Sequence, residues 1–509
     1  MRGKKAALNS ITALLAQCVS IICGFILPKL ILSHFGSSYN GITSSISQFI
    51  SCAVLLRAGI GSVTRAALYK PLAEGNNREI SGIVNATDKY MKHVALIFAA
   101  MLIAFAGVFP FVVSDEFDWL FSFSLVLILG ISTFAQNYFG ITYQMLIQAD
   151  QRQYIYSAIT IATTILNTLI ASLLIEMDFS IHTVKLGSAI VFALNPIILN
   201  LYVRKKYSID KKVPANESAI SQRWDAFAQQ AAAFVNNNTD VMILTIWSNL
   251  KEVSVYTVYY LVANGLYKLE YTISESIEAA FGNMIAKGEK KSLDENVKLV
   301  EFAMFSSAAF LFICGGNLIV PFVKVYTSGV GDVSYDRPLF GMLICLNQFL
   351  ACIRLPYQML VEASGHFKQT KNGAIFEAVM NIIVSIILVR KFGLIGVAIG
   401  TTCALSFRTI QYAGYSSKNI LNRSIKVVLK NLIIAFCEAA MATLVIKAVP
   451  VSSEFIGSYG EWILYALYVA MVTGGVVVIC SILFYRNELK KVAYKLKKTG
   501  SSFYRRKNV

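Results

Sequence analysis

Long apolar runs separated by short polar segments make up most of the chain. An α-helix needs about 20 apolar residues to cross roughly 30 Å of hydrocarbon. Runs of this length predict about fourteen membrane-spanning helices and therefore an all-α, polytopic membrane protein. The predicted spans are 9–33, 43–65, 91–114, 119–142, 155–175, 183–203, 226–247, 254–282, 297–324, 338–361, 372–389, 393–414, 429–449 and 461–485.

The charges between the runs predict how the helices are oriented. Lys and Arg concentrate in alternate loops and in the tails, as in 204–212 and 490–507. The loops between them are short and acidic, as in 114–118. Because loops rich in Lys and Arg stay on the cytoplasmic side, both termini are predicted to be cytoplasmic.

Composition narrows the range of partners. Hydrophobic residues make up 56% of the chain, which is more apolar surface than a soluble domain could bury. The formal net charge of +17 would suit a nucleic-acid-binding protein, but the basic residues lie in loops on one side of a membrane. We therefore predict contact with anionic membrane lipids and no nucleic-acid partner.

The sequence predicts no cofactor, metal or catalytic site. The cysteines lie in apolar runs without a Cys-x-x-Cys pair, which is typical of small buried side chains. The histidines are scattered near the ends of the runs. No phosphate-binding loop of the Gly-x-x-x-x-Gly-Lys-Ser/Thr type occurs, so ATP is not expected to drive the protein.

The two halves of the chain resemble each other at a spacing of 214 residues. The sequence Tyr-Gln-Met-Leu at 143–146 recurs at 357–360, and Asn167 recurs as Asn381. Six helices separate equivalent positions, so equivalent helices cross the membrane in the same direction. The pattern predicts two six-helix lobes related by a pseudo-two-fold parallel repeat.

The predicted domains follow from this repeat. The N-lobe with helices one to six covers 1–206, a cytoplasmic linker covers 207–225, and the C-lobe with helices seven to twelve covers 226–415. Two extra helices without a counterpart, and a basic cytoplasmic tail, occupy 416–509. Transporters commonly place the substrate path between such repeats.

A stripe of polar residues marks helix eight. Its members follow one another at spacings of three or four residues and so share one helix face: Asn264, Lys268, Tyr271, Glu275 and Glu278. Ionisable side chains in hydrocarbon cost about 2.5–3.5 kcal/mol, so this face cannot point toward lipid. It either lines a water-filled cavity or packs against polar residues of other helices.

Three more charged residues lie inside predicted helices. Asp240 in helix seven is a candidate for binding a coupling cation, for pairing with Lys268, or for a static ion pair. Arg57 in helix two faces either a cavity or, by extending its side chain, the membrane interface. The same alternatives hold for Lys29 in helix one.

Charged residues in the second half are equally open to two interpretations. Arg354, Glu377 and Arg408 in helices ten to twelve form a group that is either functional or structural. Glu438 in helix thirteen has no explanation in the sequence.

A cavity that contains Lys and Arg suits an anionic cargo, because guanidinium and ammonium groups replace the water around phosphate oxygens. An interior-negative membrane potential favours outward movement of each negative charge by about 2.3 kcal/mol per 100 mV. A pyrophosphate head group could therefore be exported without ATP.

Two passages carry a family resemblance. Residues 55–65 read Leu-Leu-Arg-Ala-Gly-Ile-Gly-Ser-Val-Thr-Arg. The second passage comprises 381–389 and then 391–401, which reads Lys-Phe-Gly-Leu-Ile-Gly-Val-Ala-Ile-Gly-Thr. With these passages and its predicted helices, the chain resembles the polysaccharide and O-antigen (Wzx-like) flippases of the multidrug/oligosaccharidyl-lipid/polysaccharide (MOP) exporter superfamily.

The resemblance implies two six-helix lobes that alternate between inward-open and outward-open states. It implies that charged residues of the cavity contact the head group of a lipid-linked oligosaccharide, and Arg57 is the position that matches the family best. The expected location is the bacterial cytoplasmic (inner) membrane, and the candidate protein partners are polysaccharide assembly proteins.

The leading hypothesis is a flippase, not an enzyme, that translocates a polyprenyl-pyrophosphate-linked oligosaccharide. The alternative is a cation-coupled multidrug or metabolite antiporter of the same superfamily. Drug exporters commonly have an acidic residue in helix one, where this chain has Lys29 and no carboxylate. A membrane-embedded polymerase or glycosyltransferase is the third hypothesis, but the longest predicted outside loops, 327–338 and 450–461, are short.

Overall fold

A computed structural model describes residues 2–57, 60–220, 238–448 and 456–491, and among these it contains long α-helices and no strand. A π-helix, Gln136–Gly140, joins α6 to α7, and a 3₁₀-helix, Glu217–Ile220, follows α9. Helix α10 is described at 238–247. The other helices are α1 (Arg2–Phe35), α2 (Ser37–Ser51), α3 (Ala53–Leu56), α4 (Ile60–Glu74), α5 (Asn77–Val112), α6 (Trp119–Ala135), α7 (Ile141–Ala149), α8 (Gln153–Glu176), α9 (Ile181–Lys206), α11 (Leu250–Ala286), α12 (Lys290–Tyr326), α13 (Pro338–Ala363), α14 (Phe367–Phe392), α15 (Leu394–Asn419), α16 (Lys426–Ala448) and α17 (Tyr459–Phe484).

Within these described residues, eleven helical segments are long and apolar enough to cross a membrane. The remaining predicted spans correspond to the broken segment α2–α4, to α10 and to α11. The all-α, multi-pass fold class is therefore confirmed. Residues 226–237 of the seventh predicted span and 492–509 of the basic tail lie outside the described residues.

Several helices begin where a polar side chain accepts a hydrogen bond from the first turn. The side chain of Asn76 accepts from the Glu79 amide at the start of α5, at 3.2 Å. Ser458 and Glu461 form a reciprocal capping box at the start of α17. Such caps satisfy amide groups that have no partner within the helix, and so they fix where these helices start.

The spacing of 214 residues recurs in the helix boundaries. Helix α7 ends at Ala149 and α13 ends at Ala363. The residues two positions later, Gln151 and Gly365, both have positive φ, at 57° and 69°. The amide of the following residue donates to a carbonyl five positions earlier in both turns, Arg152 to Ile147 and His366 to Val361. Both halves of the chain therefore use the same turn at equivalent positions.

The helix pairings recur as well. In the first half α8 packs against α9 and α5 against α6, and in the second half α14 packs against α15 and α12 against α13. The predicted duplication is thus present in the packing of each half.

The structure divides into two compact units. The first contains Met1–Thr257 together with Gly329–Val333, and the second contains Val258–Ser328 and Ser334–Val509. Residues 238–257 and 329–333 belong by sequence to the predicted C-lobe, but they pack within the first unit. The lobe boundaries derived from the repeat stay a prediction.

The two extra helices pack on the second unit. Helices α16 and α17 contact α12 as well as each other. The indole N–H of Trp462 in α17 donates to the carbonyl of Leu318 in α12, at 3.3 Å. A buried ion pair joins Arg423, in the connection between α15 and α16, to Glu301 of α12. The added pair is therefore held by polar contacts near both of its ends.

Candidate functional site

Arg57 lies at a break in the second predicted span. Helix α3 ends at Leu56 and α4 begins at Ile60, and Arg57 occupies the turn after α3. The side chain is half-buried, and its Nη1 donates to the amide oxygen of Asn137 at 3.4 Å. The neighbouring Ala58 and Gly59 lie outside the described residues. Arg57 is thus placed inside the first unit rather than extended along a continuous helix.

The partner of Arg57 belongs to the π-helix Gln136–Gly140. Gly140 allows this turn to approach α9, since a Cβ there would lie 2.6 Å from the Cβ of Pro196. Single π-turns inside long helices are rare and occur frequently at functional sites. The equivalent residues of the second half, 350–354, are part of the continuous helix α13. The π-turn is therefore a feature of the first half that the duplication does not explain.

Asn137 has an unused donor. The residue is 1% exposed, and its amide nitrogen has no hydrogen-bond partner. Next to it, the side-chain nitrogen of Gln136 donates to the side-chain oxygen of Gln144 and to the hydroxyl of Tyr156, each at 3.4 Å. A buried amide donor without a partner is costly, so a water molecule or an anion that reached this position would be favoured.

The charge of Arg57 has no ion-pair partner in the part of the chain that the structure describes. Among the described side chains, no carboxylate lies within ion-pair distance of its guanidinium. A guanidinium inside a membrane span costs several kcal/mol unless it is compensated. Together with the free donor of Asn137, this Arg57 site can bind an anion such as a phosphate.

Helix α2 presents a row of polar side chains toward α10 within the first unit. The amide nitrogen of Gln48 donates to the side-chain oxygen of Asn238, and the Ser51 hydroxyl donates to the same oxygen at 3.3 Å. Ser45 and Thr245 share a buried hydrogen bond of 2.8 Å. These contacts join α2 to α10 by hydrogen bonds between Ser, Thr, Asn and Gln side chains, a common way of holding helices together in lipid.

Asp240 is buried in α10. It is 9% exposed, and Oδ2 accepts a 2.9 Å hydrogen bond from the hydroxyl of Tyr256 in α11. A carboxylate at this depth can bind a cation or act as a fixed acceptor for the tyrosine, so its predicted roles stay open.

A second polar cluster closes one end of the first unit. Asp332 accepts from the backbone amide and from the hydroxyl of Ser37, at 2.8 and 2.7 Å. Glu116 accepts from the hydroxyl of Ser38 at 2.5 Å and from the amide of Leu250 at 3.2 Å. We call these five residues the outer seal, since the predicted orientation places them at the outer membrane surface.

The stripe of helix eight lies on α11 in the second unit. Lys268 and Tyr271 are exposed on the surface of the structure, and Asn264 is half-buried. Lys268 makes no ion pair with the side chains that the structure describes. Glu275 and Glu278 are helical, but their side chains lie outside the described ones.

Glu270 is a buried acid that the sequence did not reveal. It is 2% exposed in α11, and its Oε2 has no hydrogen-bond partner. The residue lies off the polar stripe, so a search at helical spacing passes over it. The signal for Glu270 in the sequence was its charge inside a weakly hydrophobic predicted span.

Arg354, Glu377 and Arg408 meet in the second unit. Arg354 Nη1 lies 2.9 Å from Glu377 Oε1, and Arg408 Nε lies 3.4 Å from Oε2. Arg408 also donates to the carbonyl of Thr370 at 2.9 Å and to the hydroxyl of Tyr412 at 2.7 Å. The three charged residues therefore form a buried network that joins α13, α14 and α15.

This network carries one more positive than negative charge, but most of its polar groups are already paired. Among the fully buried side-chain atoms that the structure describes, Nε of Arg354 has no hydrogen-bond partner. The network therefore holds three helices together. The guanidinium of Arg354 has a carboxylate partner, which the guanidinium of Arg57 lacks among the described side chains.

Lys29 is half-buried in α1, within a membrane span. Within the described residues, no cluster of three or more His, Cys, Asp or Glu could hold a metal ion.

Comparison with solved structures identifies the fold. The lipid II flippase MurJ in an inward closed conformation matches with a TM-score of 0.73 at 16% identity, over 95% of this chain and 100% of that chain. A multidrug resistance MATE family transporter of the MOP superfamily, in an inward-facing conformation, matches with a TM-score of 0.59 at 13% identity, over 80% of this chain and 98% of that one.

A MOP superfamily transporter from Pyrococcus furiosus matches with a TM-score of 0.55 at 12% identity, over 83% of this chain and 97% of that one. No family model matches the sequence. No curated protein matches it either.

The fold and its long apolar helices define a multi-pass membrane protein. More particularly, the chain has the fold that MurJ and the MATE transporters of the MOP superfamily share. The predicted resemblance to this superfamily is confirmed at the level of the fold, whereas membership of the Wzx-like family stays a prediction.

Proposed function

We propose that this protein is a flippase that moves a lipid-linked saccharide with a phosphate or pyrophosphate head group across the cytoplasmic membrane. The observation that carries the proposal is the Arg57 site, where an arginine inside a predicted membrane span has an amide partner and no carboxylate among the described side chains. An uncompensated guanidinium next to the free donor of Asn137 favours an anionic ligand.

The shared fold supports a transport function, because a lipid II flippase and multidrug transporters have it. A lipid-linked saccharide combines an anionic head group with a long apolar chain. The head group matches the Arg57 site, and the apolar chain can stay in the bilayer.

Reconstitution tests the proposal directly. Purified protein in liposomes is given a fluorescent polyprenyl-pyrophosphate sugar, and transport is followed by the access of a membrane-impermeant quencher. Arg57→Ala is expected to slow transport about 10- to 100-fold, since a hydrogen bond to a charged group contributes about 1.5–3 kcal/mol. Arg57→Lys keeps the charge and is expected to retain part of the rate.

Arg78→Ala is the matched control, because Arg78 is exposed at the start of α5 and its removal deletes the same charge. It is expected to transport like the unmodified protein. If Arg57→Ala transports as fast as the unmodified protein, Arg57 has no part in the mechanism. If the unmodified protein transports no phosphate-linked lipid, the flippase proposal is overturned.

A second candidate function rests on Asp240. Its buried carboxylate, held by Tyr256, is a group that could bind a coupling cation in an antiporter. Efflux of a cationic dye from liposomes that is abolished by Asp240→Asn and unaffected by Arg57→Ala would favour the antiporter over the flippase.

A further inference from the structure

A groove of about 340 Å³ runs along the surface of the second unit between α16 and the end of α17. Its walls are almost wholly apolar, and one end carries two lysines. The lining residues are Lys426, Leu429, Lys430, Ile433, Ile434, Cys437 and Phe484.

The groove opens toward the lipid of the bilayer. Ile433 is 63% exposed and Phe484 is 47% exposed, whereas Ile434 is buried and forms the floor. Both α16 and α17 are membrane spans, so the exposed walls contact acyl chains. An apolar groove of this size is large enough to hold part of a lipid chain.

The lysines at the end of the groove lie one helical turn apart. Lys426 and Lys430 are both exposed, and neither forms an ion pair with a described carboxylate. Lys430 Nζ lies 3.4 Å from the carbonyl oxygen of Phe484 and 5.8 Å from the centre of the Tyr485 ring. The Lys430 side chain therefore lies across the gap between the two helices, at the mouth of the groove.

This arrangement concentrates positive charge. Like charges four residues apart on a helix repel each other. Lys426 is also the first residue of α16, where the helix dipole is positive. An anion between the two ammonium groups would relieve both unfavourable interactions.

We propose that this groove binds one anionic phospholipid. Its phosphate contacts Lys426 and Lys430, and an acyl chain lies along Leu429, Ile433 and Cys437. The predicted orientation places the lysine end of α16 at the cytoplasmic surface, where anionic lipids attract basic residues. The site is separate from the Arg57 site and does not depend on the transported substrate.

A second copy of the chain is a poorer occupant of the groove. In a two-fold dimer the same surface meets itself. Within a membrane, Lys426 and Lys430 of both copies would then lie at the same depth and repel each other. Charge complementarity therefore favours a lipid phosphate over another copy of this protein.

Native mass spectrometry of the full-length, delipidated protein tests the proposal with two added lipids of equal chain length, phosphatidylglycerol and phosphatidylcholine. The unmodified protein is expected to retain one phosphatidylglycerol with a preference of about tenfold or more over phosphatidylcholine. The double variant Lys426→Ala, Lys430→Ala is expected to lose this preference. The double variant Lys426→Arg, Lys430→Arg is expected to keep it.

Two further variants separate the groove from general surface charge. Cys437→Trp fills the middle of the groove and leaves both lysines, so it is expected to lose the retained lipid. The double variant Lys205→Ala, Lys206→Ala removes two exposed charges at the end of α9 and is expected to bind lipid normally. Circular dichroism and gel filtration confirm that each variant is folded.

Equal retention of the two lipids would overturn the proposal. Stronger retention of a polyprenyl phosphate than of phosphatidylglycerol, or a dimer that disappears when the two lysines are replaced, would also overturn it by identifying a different occupant. Normal lipid retention by Cys437→Trp would show that the groove is not the site.

Discussion

Arginines that look alike in the sequence have different surroundings in the structure. Arg57 and Arg354 both lie inside predicted spans. Arg354 pairs with Glu377, whereas Arg57 meets an amide and, among the described side chains, no carboxylate. A buried pair stabilises packing only if both partners remain, while an unpaired arginine is available to a ligand. The structural role of Arg354 and the proposed binding role of Arg57 therefore follow from their partners, and not from the residue type.

The buried network of the second unit leads to a prediction about stability. Glu377→Gln removes the carboxylate that pairs with both Arg354 and Arg408, so two guanidinium groups in the interior lose this countercharge. The free energy of unfolding in detergent is expected to fall by about 3–5 kcal/mol.

Asp294→Asn is the control for this measurement. Asp294 pairs with Lys298 at 2.6 Å on the exposed part of α12, where an ion pair contributes at most about 0.5 kcal/mol. An equal loss of stability in both variants would show that the Glu377 network stabilises the fold no more than an exposed ion pair does.

Glu438 remains without a role. It is 2% exposed in α16, and its Oε1 has no hydrogen-bond partner. Nothing in the described structure explains why an acid is kept at this position.

At the scale of the element, the break in the second span is the feature that builds the Arg57 site. The sequence predicts one helix over 43–65, whereas the structure has α2, α3 and α4 with turns at Cys52 and Arg57. The segment is rich in Ser and Gly, which weakens the helix against competing contacts. In transporters, discontinuous helices commonly form the binding sites for substrates and ions.

Gly41 provides a test of the outer seal. A Cβ at Gly41 would overlap the carbonyl group of Leu250, so the start of α11 packs directly on the backbone of α2. Gly41→Ala is expected to separate these helices at a cost of about 1–3 kcal/mol. If the seal opens during transport, this cost shifts the equilibrium toward the open state by about 5- to 150-fold.

The measurement uses a cysteine in place of buried Ser254 in a variant that lacks the native cysteines. Gly41→Ala is expected to speed its labelling by a membrane-impermeant maleimide added outside. Gly107→Ala is the matched control, since a Cβ at Gly107 of α5 meets no atom within 4 Å. Unchanged labelling in Gly41→Ala would mean that this contact does not hold the seal.

At the scale of the whole molecule, the charge pattern makes a prediction about orientation. A cysteine at Asp115, in the exposed turn after α5, is expected to react with an impermeant maleimide in intact cells. A cysteine at Lys205, at the end of α9, is expected to react only after the membrane is permeabilised. The reverse pattern would invert the orientation and move the outer seal to the cytoplasmic side.

The sequence predicted the fold well because the bilayer imposes a simple rule on it. A spanning helix must satisfy its own backbone and expose apolar side chains, so run length and hydropathy are enough to locate it. The repeat was also visible, since Tyr143 and Tyr357 lie in turns of helix that both halves bury in the same way. These features depend on local composition and on spacing along the chain.

The candidate sites depended on tertiary structure. A charge inside a span indicates a polar environment, but it does not identify its partner, because that partner lies on another helix. Asn137 reaches Arg57 through a π-turn, and Glu377 neutralises Arg354 from α14. The sequence by itself determined the helices, their repeat and their expected orientation. Only the packing of distant helices decided which charges are paired and which are left available to bind an anion.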